Sequence, residues 1–143
     1  TKEDVEALQK GLADDIMDVI ATDHAPHAAT DKTGSIRDAA FGIVGIETSF
    51  ALTYTALVET GILTLTQLVE KMSWNPAQIL KSDRGTLQEG HPADVVIVDI
   101  DTEYKIDKTK FASKGRNTPF DGWKVKGKIL YTICDGKIVY QEV

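Results

Sequence analysis

The chain has 143 residues, 42% apolar and 27% charged, enough for one domain or two small ones and too apolar for general disorder. Sixteen Lys and Arg against 22 Asp and Glu leave a formal charge of −6, which repels phosphate backbones and anionic lipid and argues against nucleic acid or a membrane surface as partner. No apolar run approaches the ~20 residues of a spanning helix, the opening Thr-Lys-Glu-Asp is not a signal peptide, and Cys134 stands alone, so a soluble protein of the reducing cytoplasm is expected.

Thr1-x-x-Asp4 followed by Val5, Leu8 and Leu12 predicts a helix over about residues 2–10, with Gly11 as its C-terminal cap. Ile16-Met17-Asp18-Val19-Ile20-Ala21 reads as a strand covered on both faces, the kind that belongs to a parallel sheet. Residues 28–40 show no apolar period and read as a mobile surface loop long enough to act as a lid. Ile46, Phe50, Tyr54 and Leu57 mark a helix over 45–59 closed by Gly61. Thr64-x-x-Gln67 is a capping box ahead of Leu65, Leu68, Val69 and Met72, and Asn75-Pro76 starts a further helical turn to about residue 80, with Asn as N-cap.

The pattern changes near residues 81–85. Beyond it, Thr86-Leu87 reads as a short strand, 93–100 as a buried strand, and 129–134 with 137–140 as a hairpin around the type I′ pair Asp135-Gly136. Residues 1–83 are therefore assigned to an α/β part and residues 84–143 to an all-β part.

Two of the three histidines fall in Thr22-Asp23-His24-Ala25-Pro26-His27, at the carboxyl end of the expected parallel strand, where α/β folds place their sites. Asp23 suits a divalent cation and the proton of a bound water. The plainer reading is that Asp23 caps a turn and both histidines decorate a surface loop. A catalytic zinc takes about three protein ligands. One tight loop is a poor source of three, so these residues make half a site and suggest the end of a longer protein. His91 reads as a solvated turn residue and Cys134 as a small buried thiol. The glycines of Phe41-Gly42-Ile43-Val44-Gly45-Ile46-Glu47 suit either tight packing or an anion on free N–H groups, and Glu47 a favourable charge on the helix dipole. Lys124, Lys126 and Lys128 read as a solvated strand face.

Ile20-Ala21-Thr22-Asp23-His24-Ala25-Pro26-His27 resembles the closing segment of dihydroorotases, in the cyclic amidohydrolase group. So do Phe41-Gly42-Ile43-Val44-Gly45-Ile46-Glu47-Thr48, Asn75-Pro76-Ala77, Gly85-x-Leu87-x-x-Gly90-x-x-Ala93-Asp94 and Asn117-Thr118-Pro119-Phe120-x-Gly122-Trp123, in the family's order. Ala40 departs from it, standing where the family commonly has proline. The resemblance implies the last βα elements of a (β/α)8 barrel followed by the C-terminal strands of a small β-sandwich. It implies two zinc ions in the parent protein, an incomplete set of ligands here, and reversible interconversion of L-dihydroorotate and N-carbamoyl-L-aspartate in pyrimidine synthesis.

By the same resemblance Asp23 is a metal ligand and the acid/base, His27 binds substrate, and Phe41 and Gly42 contact it through their backbone. A segment of this kind is expected to be inactive alone, and to self-associate through its unpaired apolar edges. The alternatives are a non-catalytic relative that docks on aspartate transcarbamoylase, and another cyclic amidohydrolase such as a hydantoinase or allantoinase.

Overall fold

The computed structural model describes residues 1–142. Thr1 caps helix α1, Lys2–Ala13, in a reciprocal capping box with Asp4, as its sequence predicts. The helix runs past Gly11 and ends at Asp14, with Asp15 in the left-handed region at φ 56°. None of its residues is buried.

Residues 16–21 form no strand, contrary to expectation. A parallel strand exists only beside another strand, and the first strand here begins at Val95. The segment instead runs extended along the later helices. The Ile20 N–H donates to the Lys71 carbonyl at 3.0 Å, and Asn75 Nδ2 donates to the Asp18 carbonyl at 2.9 Å. Lys71, only 1% exposed, turns its ammonium onto the Met17 carbonyl and the Asp15 carboxylate.

Helix α2, Ser49–Thr53, continues as a π turn over Tyr54–Val58 and closes at Gly61, φ 74°. Helix α3, Leu65–Val69, begins with the expected Thr64–Gln67 box and passes through a second π turn, Glu70–Trp74, into α4, Asn75–Ile79. Asn75 therefore lies inside a continuous helix and is not an N-cap. Pro76 brings no N–H to the ladder, which is where an α-helix tolerates a widened turn.

The β part holds two antiparallel sheets. One has the order β1-β4-β5, from Val95–Asp99, Lys128–Cys134 and Lys137–Gln141, and the other pairs β2, Tyr104–Lys105, with β3, Lys124–Val125. Asp135 and Gly136 turn the hairpin with φ 47° and 75°, as a type I′ turn requires. Residues 86–87 form no strand, since nothing pairs with them, and Val96 and Ile97 of β1 are half-exposed rather than buried. Cys134 is exposed too, at the turn end of β4 beside the Asp135-Gly136 hairpin, and not the buried thiol expected of it.

Ala51 of α2 packs with Ile106 and Val125, flanked by Leu52, Tyr104, Phe111 and Phe120, so the helical and β parts share a core. Gly127 lets the backbone lie against Phe50, whose ring a Cβ there would meet at 3.0 Å. Lys124, Lys126 and Lys128 are solvated but individually paired, with Glu103 at 2.7 Å, Glu59 at 3.0 Å and Glu142 at 2.6 Å. Arg84, at the start of the β part, ties its entry to the strands by pairing with Asp94 and Asp135. The Asp135 N–H, then the Arg84 guanidinium, hold the Asp94 carboxyl below the usual carboxylate range.

Candidate active site

Three chain segments converge beyond the end of the extended run. The first turns at Asp23, whose φ of 45° is left-handed, a region that Asp enters more readily than most residues. The turn leaves the Asp23 side chain exposed, and it makes no hydrogen bond among the described residues. His24 then folds back, and its Nδ1 accepts the N–H groups of Gly45 at 3.0 Å and Ile46 at 3.3 Å. An Nδ1 that accepts leaves the ring proton on Nε2. The Gly45 and Ile46 N–H groups are thus taken by an imidazole and are not free for an anion.

The second segment is 41–45. The Ala25 N–H donates to the Ile43 carbonyl at 2.8 Å, and both glycines sit where the two strands of chain touch. A Cβ at Gly42, φ 99°, would lie 2.4 Å from the Ala25 Cβ and 3.8 Å from His27 Nε2; one at Gly45 would lie 3.0 Å from the Thr22 carbonyl oxygen. Tight packing is what these glycines serve. The Gly42 carbonyl accepts from Lys32 Nζ at 2.6 Å and from Asn117 Nδ2 at 3.1 Å, so its N–H is the group left for a ligand. Phe41 is 85% exposed beside it.

The expected lid, 28–40, closes on itself. It starts with a 3-10 turn, Ala29–Lys32, the Ala40 N–H donates to the Asp31 carbonyl at 2.8 Å, and Lys32 reaches the Ala40 carbonyl.

The third segment comes from the β part. Gly115 is pressed so closely on Pro26 that a Cβ there would meet the proline Cβ at 2.8 Å. Asn117 follows, its Oδ1 accepting the His27 N–H at 3.3 Å, its Nδ2 donating to the carbonyls of Ala25 and Gly42 at 3.1 Å each. Glu47 fastens the same loop, taking the N–H groups of Ala112 at 2.8 Å and Ser113 at 3.1 Å. Its carboxylate is a clamp between segments, rather than only a favourable charge on a helix.

Of the expected site residues, His27 and Gly42 are brought together, while Phe41, next to Gly42 in the chain, and Asp23, four positions before His27, are exposed. His91 is apart from them, an exposed turn residue whose Nδ1 lies 2.7 Å from the Asp83 carbonyl oxygen. The sequence assigns no site role to His24, Lys32 or Asn117. Asn117 did carry a signal, since its Asn-Thr-Pro-Phe stretch stands out from an otherwise ordinary loop.

Among the described residues, no group of three or more His, Cys, Asp and Glu gathers as a metal site. Asp23 is one oxygen donor, and the residues present do not by themselves fit a resident zinc pair.

A family model described as the amidohydrolase family matches residues 1–139. The chain belongs to that family. This amidohydrolase chain is 53% identical over 143 residues to a dihydroorotase of Brevibacillus brevis, covering all of this chain and 34% of the relative. It is 49% identical over 142 residues to a dihydroorotase of Syntrophus aciditrophicus, covering 99% of this chain and 33% of that one. The chain thus spans about a third of the length of these relatives. Among solved structures, an L-hydantoinase from Arthrobacter aurescens matches with a TM-score of 0.88 at 34% identity, covering 94% of this chain and 31% of the other. A D-hydantoinase from a Thermus species matches with a TM-score of 0.86 at 26% identity, covering 95% and 31%.

Proposed function

We propose that this chain forms the closing third of a dihydroorotase, in which Asp23 moves the proton and His27, Phe41 and Gly42 hold the substrate. The observation that carries this is the close approach of the Gly42 backbone to the His27 ring, four positions after an exposed Asp23 whose side chain makes no hydrogen bond among the described residues. It is supported by about half identity to dihydroorotases along the whole chain. In this reading residues 1–83 complete a (β/α)8 barrel and residues 84–143 supply strands of a β-sandwich. Residues 16–21 pair as a strand only when the preceding barrel strands lie beside them.

Hydrolysis of dihydroorotate adds one water to the ring carbonyl and breaks the carbonyl carbon–nitrogen bond, giving N-carbamoyl-L-aspartate. Asp23 takes a proton from the attacking water and returns it to the departing nitrogen, so no net proton remains on the carboxylate. His27 and the Gly42 N–H hold the polar edge of the substrate, with Phe41 beside them. The family's zinc ions would require further ligands from outside these residues. Pyrimidine synthesis in the cytoplasm is the corresponding setting.

The hydantoinase likeness at 34% identity favours a second reading, a different cyclic amide. The test is a hybrid in which this segment replaces the equivalent third of the Brevibacillus brevis relative. Opening of dihydroorotate but not hydantoin supports the proposal, and the reverse preference supports the hydantoinase. A folded hybrid inert toward both favours the non-catalytic scaffold, for which aspartate transcarbamoylase would be the partner to try. The free apolar edges of the isolated chain, with Ile16 and Val139 exposed, favour self-association, and a strictly monomeric elution profile at high concentration counts against that.

A further inference from the structure

We infer that Asn117 is the positioning residue that sets the spacing between the two substrate-holding elements, His27 and Gly42. This rests on the dihydroorotase reading above. The Asn117 carboxamide spends both N–H donors on the carbonyls of Ala25 and Gly42 and its oxygen on the His27 N–H, across separations of 92, 75 and 90 positions. Its own carbonyl accepts the Val44 N–H at 3.1 Å, so one residue is stitched to both site segments. An Asn side chain alone has the two donors and one acceptor at this reach: Asp has no donor, and Gln is a methylene too long.

The placement is enforced from behind. Gly115 contacts Pro26 with no room for a Cβ, and Glu47 holds Ala112 and Ser113, so the loop that presents Asn117 cannot draw back without breaking several contacts. Asn117 makes no hydrogen bond to the Asp23 carboxylate among the described residues. It acts on the groups that hold substrate and not on the group that moves the proton. Its loss loosens ground-state and transition-state binding together, which raises KM and leaves kcat nearly intact.

The test uses the hybrid enzyme described above, with Asn117→Ala and Asn117→Asp compared against the unsubstituted hybrid. Both variants should raise KM for dihydroorotate by about tenfold, with kcat within about threefold, the size expected from losing two or three modest hydrogen bonds. Asn117→Asp should not rescue, because it keeps the acceptor and places a charge against two carbonyls. An unchanged KM, or a fall in kcat at constant KM, overturns the inference. An unsubstituted hybrid inert toward dihydroorotate counts against the functional reading instead, and positioning is then read in the 143-residue chain by amide exchange. There Asn117→Ala should speed exchange of the His27 N–H about tenfold or more while the β4 amides stay protected, and unchanged exchange at His27 overturns the inference.

Discussion

The Lys71 ammonium lies 2.8 Å from the Asp15 carboxylate, a partner 56 positions earlier, although Lys71 is buried and the Asp15 side chain is 76% exposed. The same ammonium donates to the Met17 carbonyl at 2.8 Å, so the buried cation ties the segment leading to Asp23 onto α3 and its π turn. Lys71→Met keeps the buried stem but leaves the Met17 carbonyl unpaired. It should cost about 1–3 kcal/mol in urea unfolding. Asp15→Asn, changing an exposed partner, should cost under about 1 kcal/mol. Equal costs would show that the contact with Asp15 rather than the carbonyl matters, and a more stable Lys71→Met would show that neither contact stabilises the fold.

Lys81 stands just past α4 at φ 53°, while the Ser82 N–H donates back to the Ala77 carbonyl at 2.9 Å. That left-handed closing position is the one glycine fills without steric cost. Lys81→Gly should raise stability by about 1 kcal/mol, visible as a higher urea midpoint at constant slope. A lower midpoint would mean that the Lys81 side chain does more than the backbone suggests.

Tyr140 donates its hydroxyl to Glu142, and that bond, with some burial, pushes its pKa up to about 12 from an ordinary value near 10. A raised pKa favours the protonated phenol in the fold. The contribution of this contact is therefore complete below pH 10 and is lost as pH climbs to about 12. Ultraviolet titration should find one tyrosine ionising near 12, and Glu142→Gln should bring it back towards 10. A titration in which all four tyrosines ionise together near 10 would contradict the contact.

Much of the local structure was written in short-range chemistry. The Thr1–Asp4 and Thr64–Gln67 boxes, the Gly61 stop and the Asp135-Gly136 hairpin each depend on residues a few positions apart, and each formed where its pattern stood. What could not be read was relational. Residues 16–21 have a strand's composition, but a strand is a pairing, and these residues have none to pair with here. Lys71 sits in helical sequence like any solvated lysine until the extended segment covers it. His24 and Asn117 belong to the site through partners 21 and 90 positions away, respectively, distances at which no periodicity carries information. Asp23, by contrast, stands out as a candidate in the sequence itself, because a carboxylate followed by two histidines at the end of an apolar run is unusual in a solvated loop.

The most direct measurement is the rate at which the hybrid enzyme opens dihydroorotate with Asp23 or with Asn at that position. Asn tolerates the same left-handed backbone, and the Asp23 side chain has no hydrogen bond to lose among the described residues, so Asp23→Asn should leave the melting temperature unchanged. It should lower kcat by about 100-fold or more, the loss expected when a proton-transferring group is removed. Turnover within a few-fold of the unsubstituted hybrid would contradict the account.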